Sequence, residues 1–261
     1  MNQVLCKGVV LVDKPGGMTS FDVVEKACKI LGIAKGGHTG TLDPNVTGLM
    51  LVALEEARKA MPVLMGMSKE YVGKMLLHGE TESKTLEKTF RKFTGEIVQK
   101  PPVKSRVARV ERKRTVYSLK ILRVSGREIE FRVLCEAGTY IRKLAHDIGQ
   151  SIGCGAHMTE LRRTKIGPFG ISEAVPLSKL SEKDVMPLEK ILERIGLKKV
   201  VVSDEALPKI RNGSPVFPDF ILERDKAEEN EIIGIFGRSG SIIALGKNAG
   251  EKIKTERVFL L

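Results

Sequence analysis

The chain has 261 residues, with 44 Lys and Arg against 32 Asp and Glu and a formal net charge of +12. That length supports one large domain or a domain with a small companion, which excludes a peptide or a disordered tail, and the positive excess favours a polyanionic partner through counterion release. The first ten residues carry no basic region followed by an apolar core, no uninterrupted apolar run reaches about 18 residues, and Cys6, Cys28, Cys135 and Cys154 form no C-x-x-C pair; a secretory leader, a membrane span and a structural zinc site are not expected, and a reduced cytoplasmic setting is.

"GVVLVDKPGGMTS" reads as a short strand, Val9 to Val12, broken by a Pro-Gly-Gly turn. Thr19 and Asp22 then predict a helix-opening cap before Phe21, Val24, Cys28 and Leu31, which share one face, and Gly32 closes the helix. Next comes "GHTGTLDP", in which a carboxylate, Asp43, stands among glycines and threonines. Gly36, Gly37, Gly40 and Gly48 let the backbone approach a ligand closely, and Pro44 biases Asp43 away from helical geometry, so the loop can present its acid outward. The Lys-Ser/Thr ending of a P-loop is missing, which excludes a phosphate cradle of that kind. Taken alone, an Asp in such a loop is a turn or cap residue.

"GLMLVAL" is a continuous apolar run suited to a buried strand, and "EEARKAMPVLM" predicts a helix until Pro62 disturbs it. From Lys104 to Arg127, Lys and Arg surround a single acid, Glu111, interleaved with apolar residues; this suggests irregular or hairpin structure, or else a solvated edge strand protected by charge. Ile129, Phe131, Val133 and Cys135 alternate on one strand face, and Ile141, Leu144, Ala145 and Ile148 follow at helix spacing, with Thr139 placed to cap that helix. Arg142 is rotated about 100° from the stripe's Ile141 and sits in the first turn, where the helix dipole disfavours a cation. A carboxylate or phosphate partner would explain it. Beyond about residue 185 the segments become short and β-rich, with one short helix around Asp204 to Ile210.

The segments "DKPGGMTS" (13–20), "GHTGTLDPNVTGLMLVAL" (37–54), "KEYVGKMLLHG" (69–79), "CEAGTYIRKLAHDIG" (135–149) and "LRRTKIGPF" (161–169) occur in the order seen in TruB-type pseudouridine synthases, which this chain resembles over nearly all of residues 8–180. Within that family it is more similar to the archaeal and eukaryotic dyskerin-like branch, through "QKPPVKSRVARVERKRTVYSL" (99–119) and "CGAHMTELRRTKIGPF" (154–169), and through the lack of an insertion after "HGETES". "NGSPVF" and "SGSIIALGKN" resemble a PUA domain. The chain departs from that branch in opening almost directly on the catalytic segment and in having Thr39 where Ser is usual.

The resemblance implies an α+β fold: a pseudouridine synthase domain over residues 1–185, with a mixed, largely antiparallel central sheet and flanking helices, and a small β-rich PUA-type barrel over residues 186–261. It implies isomerisation of uridine to pseudouridine in RNA without cofactor or metal. Asp43 is carried over as the catalytic carboxylate, Arg142 as the cation that pairs with it, Tyr71 as the ring that stacks on the flipped uracil, Leu161 as the apolar pocket wall, and His38 as the histidine near the vacated base position. Lys14 and Pro15 are expected to brace the loop. The basic Lys104 to Arg127 segment would lie along the RNA. The expected role is the catalytic subunit of a guide-RNA-dependent H/ACA ribonucleoprotein, working with H/ACA guide RNA and small partner proteins on rRNA, with tRNA as a further substrate. A stand-alone tRNA enzyme acting on the T-loop uridine is the alternative, and a non-catalytic RNA-binding protein is the third reading.

Overall fold

The computed structural model describes residues 7–100, 108 and 110–259. Strand β1 (Gly8–Lys14) leads through a turn to helix α1 (Ser20–Leu31). The helix opens on the expected reciprocal cap, in which the Asp22 N–H donates to the Thr19 hydroxyl and the Thr19 N–H to the Asp22 carboxylate, and it ends at Gly32 with φ of 63°. Its buried face is Ser20, Val23, Val24, Ala27, Cys28 and Leu31. Phe21, expected on that face, is 71% exposed instead. One residue past Ser20, it is turned about 100° from the small side chain that meets the Asp43 loop.

Strands β2 (Gly36–His38) and β3 (Thr47–Leu54) pair antiparallel and bracket the Asp43 loop. Neighbouring β1 and β3 are buried on both sides: Val9, Leu11, Leu49 and Leu51 enter one core, and Val10, Val12, Met50 and Val52 another. A strand covered on both faces has no polar side to alternate, hence the unbroken apolar run. The single helix expected over "EEARKAMPVLM" is split into a 3-10 segment, Glu55–Ala60, and α2 (Met61–Met65). Pro62 opens the second piece rather than disturbing the first, because a first-turn N–H has no helical acceptor to lose.

Strand β4 (Lys69–Leu77), α3 (Ser83–Lys92), β5 (Gly95–Gln99), β6 (Arg112–Ser125), β7 (Glu128–Cys135), α4 (Ile141–Ile152) and β8 (Ala156–Ile166) follow. Tyr71, Met75 and Leu77 of β4 and Ile129, Phe131, Val133 and Cys135 of β7 pack against Ile141, Leu144, Ala145 and Ile148 of α4, the two periodicities read from the sequence. The described part of the basic segment is a hairpin: β6 returns into β7 around Gly126 and Arg127, and β5 pairs only with residues 112–116, so the rest of β6 is a charged sheet edge. Residues 104–107 and 109 of that segment lie outside the described residues, as does Cys6. Thr139 does not cap α4. Its hydroxyl donates to the Glu136 carbonyl at 2.8 Å, and the N-cap is Tyr140, the residue whose carbonyl starts the helical ladder.

Strands β9 (Phe169–Gly170), β10 (Val175–Pro176) and β11 (Met186–Pro187) complete a mixed 11-stranded sheet whose main path is β10, β1, β3, β8, β4, β7, β6, β5. Helix α5 (Leu188–Arg194) leads to a second, five-stranded sheet of β12 (Lys199–Val202), β13 (Ile221–Arg224), β14 (Ile232–Gly237), β15 (Ile242–Ala249) and β16 (Lys252–Val258), with α6 (Leu207–Arg211) between its first two strands. Its order is β13, β12, β14, β15, β16; among the described residues β13 and β16 do not pair, but Val216, just ahead of β13, exchanges both backbone hydrogen bonds with Ile253 of β16 at 2.9 Å each. At the four-residue β13, Arg224 instead reaches the β15–β16 turn through the carbonyls of Gly250 and Glu251. Leu188, Ile191 and Leu192 share one core with Val9 and Leu11 and with Ile242, Leu245 and Phe259, which joins the two sheets. The fold is thus α+β, and no helix among the described residues is long and apolar enough to cross a membrane.

One glycine sets how β3 meets β8. Gly48 has φ of 109°, and a Cβ there would lie 2.2 Å from the Arg163 carbonyl oxygen of the parallel neighbour. Left-handed strain and overpacking together make Gly48→Ala cost about 2–6 kcal/mol of unfolding free energy. The expected result is a lower urea midpoint at unchanged slope; an unmoved midpoint would mean that the strands part freely here.

Candidate active site

The Asp43 loop is held from three sides by groups that leave its acid free. The Ser20 hydroxyl accepts from the Leu42 N–H at 2.8 Å and donates to the Leu42 carbonyl at 3.1 Å. The Lys14 ammonium, buried at the end of β1, donates to the carbonyls of Pro15, Pro44 and Val46 at 2.9, 2.8 and 2.8 Å. The Gly17 N–H also donates to the Pro44 carbonyl, and the Val46 N–H closes a turn onto Asp43 itself. Residues on both sides of Asp43 are therefore fixed through their backbone. Burial pushes the Lys14 ammonium below its usual value, and the Asp43 charge opposes that push.

From the first turn of α4, Arg142 Nε reaches Asp43 Oδ2 at 2.9 Å. The Asp43 side chain is 45% exposed and that of Arg142 58%. The cation that is misplaced with respect to the helix dipole thus has the carboxylate partner its position called for. Pro15 is exposed and contributes its carbonyl to the Lys14 cluster.

Tyr71 is buried on β4 and shares a core with Leu42, Val46 and, at its margin, Leu161. Register explains the grouping: Tyr71 lies opposite Arg163 and Gly73 opposite Leu161 on antiparallel β8. Leu161 Cδ1 stands 3.0 Å from where a Cβ on residue 73 would be, so the glycine makes room for it. Burial raises the Tyr71 phenol, and the Arg163 charge works against that rise. His38 ends β2 with a buried Nδ1 that has no partner; burial first and the Arg163 charge second hold its imidazole below the ordinary value. Among the described residues no group of three or more His, Cys, Asp or Glu could hold a metal.

Two further residues belong to this assembly. Arg163 is 1% exposed; its Nε donates to the Leu49 carbonyl at 2.7 Å and its Nη2 to the Gly40 carbonyl at 3.2 Å. One guanidinium therefore ties the start of the Asp43 loop to β3, from the residue that lies opposite Tyr71 on β8. Lys69, also buried, donates to the carbonyls of Met65 and Met67 at 2.6 Å each, and burial lowers its ammonium to about 8. Both stand inside quoted motifs, in "LRR" and "KEY". The signal that could have found Arg163 is the pairing of those two motifs on adjacent strands. A hollow of about 490 Å³ lined by Asp13, Met18, Lys26, Ile30 and Leu177 does not include Asp43.

Residues 28–141 match the TruB family pseudouridylate synthase (N terminal domain), and residues 142–207 match the tRNA pseudouridylate synthase B C-terminal domain. A "Probable tRNA pseudouridine synthase B" of Methanosarcina barkeri is 43% identical over 92% of this chain and 75% of its own length. The chain belongs to the TruB family of pseudouridine synthases. A Methanopyrus kandleri protein of the same description is 40% identical over 94% of this chain and 77% of its own. Among solved structures, the chain in a Cbf5-Nop10-Gar1 complex superposes with a TM-score of 0.87 at 36% identity, covering 99% of this chain and 86% of that one. The chain in an H/ACA RNP bound to a substrate RNA containing 2'-deoxyuridine gives 0.86 at 35%, covering 99% and 87%. As a TruB-family synthase, the protein isomerises uridine to pseudouridine in RNA.

Proposed function

We propose that Asp43 is the catalytic carboxylate and that the protein acts as the catalytic subunit of a guide-RNA-dependent H/ACA ribonucleoprotein. The observation that carries the first part is the 2.9 Å pair between Asp43 and Arg142, brought together from a loop and a distant helix on otherwise pinned backbone. The reaction breaks the N1–C1′ bond and forms a C5–C1′ bond; C5 loses a proton and N1 ends protonated, so atoms balance without redox change. Attack of the carboxylate on C1′ and support of a cationic glycosyl group both require an ionised oxygen. Arg142 Nε, 2.9 Å from Oδ2, fixes the rotamer.

The uridine must leave its stack, at a cost of about a few kcal/mol, which contacts in the pocket offset. In this reading the Tyr71 ring and Leu161 form the apolar wall against the base, and His38 faces the position the base vacates. Lys14 and the Pro15 carbonyl keep the loop still, so that the carboxylate is aimed before RNA arrives. RNA would follow the basic edge of β6.

The dyskerin-like segments and the likeness, over 99% of this chain, to chains from Cbf5-Nop10-Gar1 and H/ACA assemblies favour the guided role, with guide RNA and small proteins as partners. The names of the archaeal relatives favour a second reading, a stand-alone tRNA enzyme. Pseudouridine mapping separates them. The expected result is target-directed product only when guide RNA and the small proteins are added to the purified chain, with at most slow modification of a tRNA transcript by the chain alone. Complete tRNA modification unaffected by guide and proteins would select the second reading.

A further inference from the structure

Helix α4 carries Arg142 to Asp43, yet its N-cap, Tyr140, has no side-chain cap of its own. The first turn of a helix leaves N–H groups without acceptors, and a helix entry that is not tied down frays. What holds this one comes from another strand. Gln99, the last residue of β5, is 3% exposed, and its carboxamide faces the Tyr140 backbone: the Tyr140 N–H donates to Gln99 Oε1 at 3.0 Å, and Gln99 Nε2 donates to the Tyr140 carbonyl at 3.2 Å. That carbonyl also accepts the Leu144 N–H at 2.9 Å, the first rung of the helix. A side chain thus pairs with a backbone residue as a neighbouring strand would, at the point where α4 begins.

The turn before α4 is tied in the same direction. Glu136 accepts from the Thr115 N–H at 2.9 Å and pairs with Arg114 at 3.5 Å, and Thr139 folds back on the Glu136 carbonyl. These contacts fix residues 136–139 to β6. Only Gln99, among the described residues, grips Tyr140 itself through both backbone groups. Arg142 follows two residues later, half-exposed, and among the described residues nothing outside the helix hydrogen-bonds its backbone.

We propose that Gln99 is a positioning residue for catalysis: its carboxamide sets the entry of α4 and so holds the Arg142 guanidinium on the Asp43 carboxylate. The proposal rests on the reading of Asp43 and Arg142 as the catalytic pair. A small error in helix entry is multiplied along the Arg142 side chain, and misplacement by about 1 Å at a reacting group costs about 10²-fold in rate. Losing the amide should therefore lower kcat and leave RNA affinity nearly untouched, since Gln99 is buried and offers nothing to RNA.

The test is single-turnover pseudouridine formation in whichever assembly is active, with Gln99→Ala and Gln99→Glu beside wild type. Gln99→Ala is expected to reduce kcat about 10–100-fold at a KM within about twofold, and to speed amide hydrogen exchange at residues 140–144 without shifting the global unfolding midpoint by a comparable amount. Gln99→Glu supplies a signature that packing cannot produce. The introduced carboxyl is the same shape; ionised, it accepts from the Tyr140 N–H but repels the Tyr140 carbonyl, whereas protonated it donates as the amide does. The ratio of its kcat to that of wild type should rise as pH falls through the titration of that carboxyl. A ratio independent of pH, or a Gln99→Ala enzyme with wild-type kcat, overturns the proposal. Asp43→Asn distinguishes the two levels: if it is inactive while Gln99→Ala is fully active, only the role of Gln99 fails, and if Asp43→Asn turns over normally, the catalytic pair fails first.

Discussion

Asp43→Asn is expected to form no detectable pseudouridine, a loss of at least about 10³-fold, while folding and binding RNA as wild type does. Asparagine keeps the shape and one carbonyl oxygen but removes the negative charge that every route to C5–C1′ bond formation needs. The structural cost is small for a reason visible in the loop. Leu42, Pro44 and Val46 are held through their backbone by Ser20, Gly17 and Lys14, none of which touches the Asp43 carboxylate by hydrogen bond. The lost ion pair joins side chains 58% and 45% exposed, where solvent screening reduces such a pair to about 0–1 kcal/mol. The measurement is product mapping beside RNA filter binding and urea unfolding on the same preparation. Turnover equal to wild type removes Asp43 from the mechanism, and a collapse of stability would mean that the pair is a fold element.

What the sequence made legible followed from local rules. The Thr19–Asp22 box and Gly32 mark both ends of α1 because caps are set within four residues. The buried strands and the α4 stripe follow from periodicity. Arg142 stood out because its charge opposes the helix dipole, and the dipole depends only on position along the helix. The residues that escaped notice depend on which strands lie side by side. Arg163 is buried because β8 pairs with β4 opposite Tyr71 and touches β3 at Gly48, a parallel contact that no spacing encodes. Gln99 entered only as the first residue of the 99–119 segment, and its grip on Tyr140 exists only once β5 is brought beside the start of α4. Phe21 and Thr139 failed for a related reason: their residue types suited a core face and a cap, but the tertiary neighbours chose Ser20 and Tyr140. How the C-terminal sheet ends, with Val216 bridging to Ile253 while β13 and β16 stay unpaired, is a property of the whole sheet that no single segment carries.

Arg163 gives the second large effect, and two variants separate what its charge does from what its shape does. Its guanidinium is buried and, among the described residues, pairs with no carboxylate; the carbonyls of Leu49 and Gly40 take its Nε and Nη2 donors. Arg163→Met leaves those two carbonyls buried and unpaired, at about 1–3 kcal/mol each, so a loss of about 2–6 kcal/mol is expected from urea unfolding. The same change removes the second of the two causes that hold the His38 imidazole down, leaving burial alone, so the His38 titration followed by NMR should move up toward 6.5 without reaching it. The sign carries into stability. His38 is depressed in the folded protein, so the unfolded chain binds the extra proton first, and stability falls as pH drops from about 6.5 to the folded value. In Arg163→Met that window narrows. Arg163→Lys keeps the charge, and His38 should stay low, yet a single ammonium does not place donors at both the Nε and the Nη2 positions that reach Leu49 and Gly40, so the stability loss should remain. If the lysine variant recovers the unfolding midpoint in full, the forked grip on the Leu49 and Gly40 carbonyls is not what Arg163 contributes, and its charge alone organises the pocket.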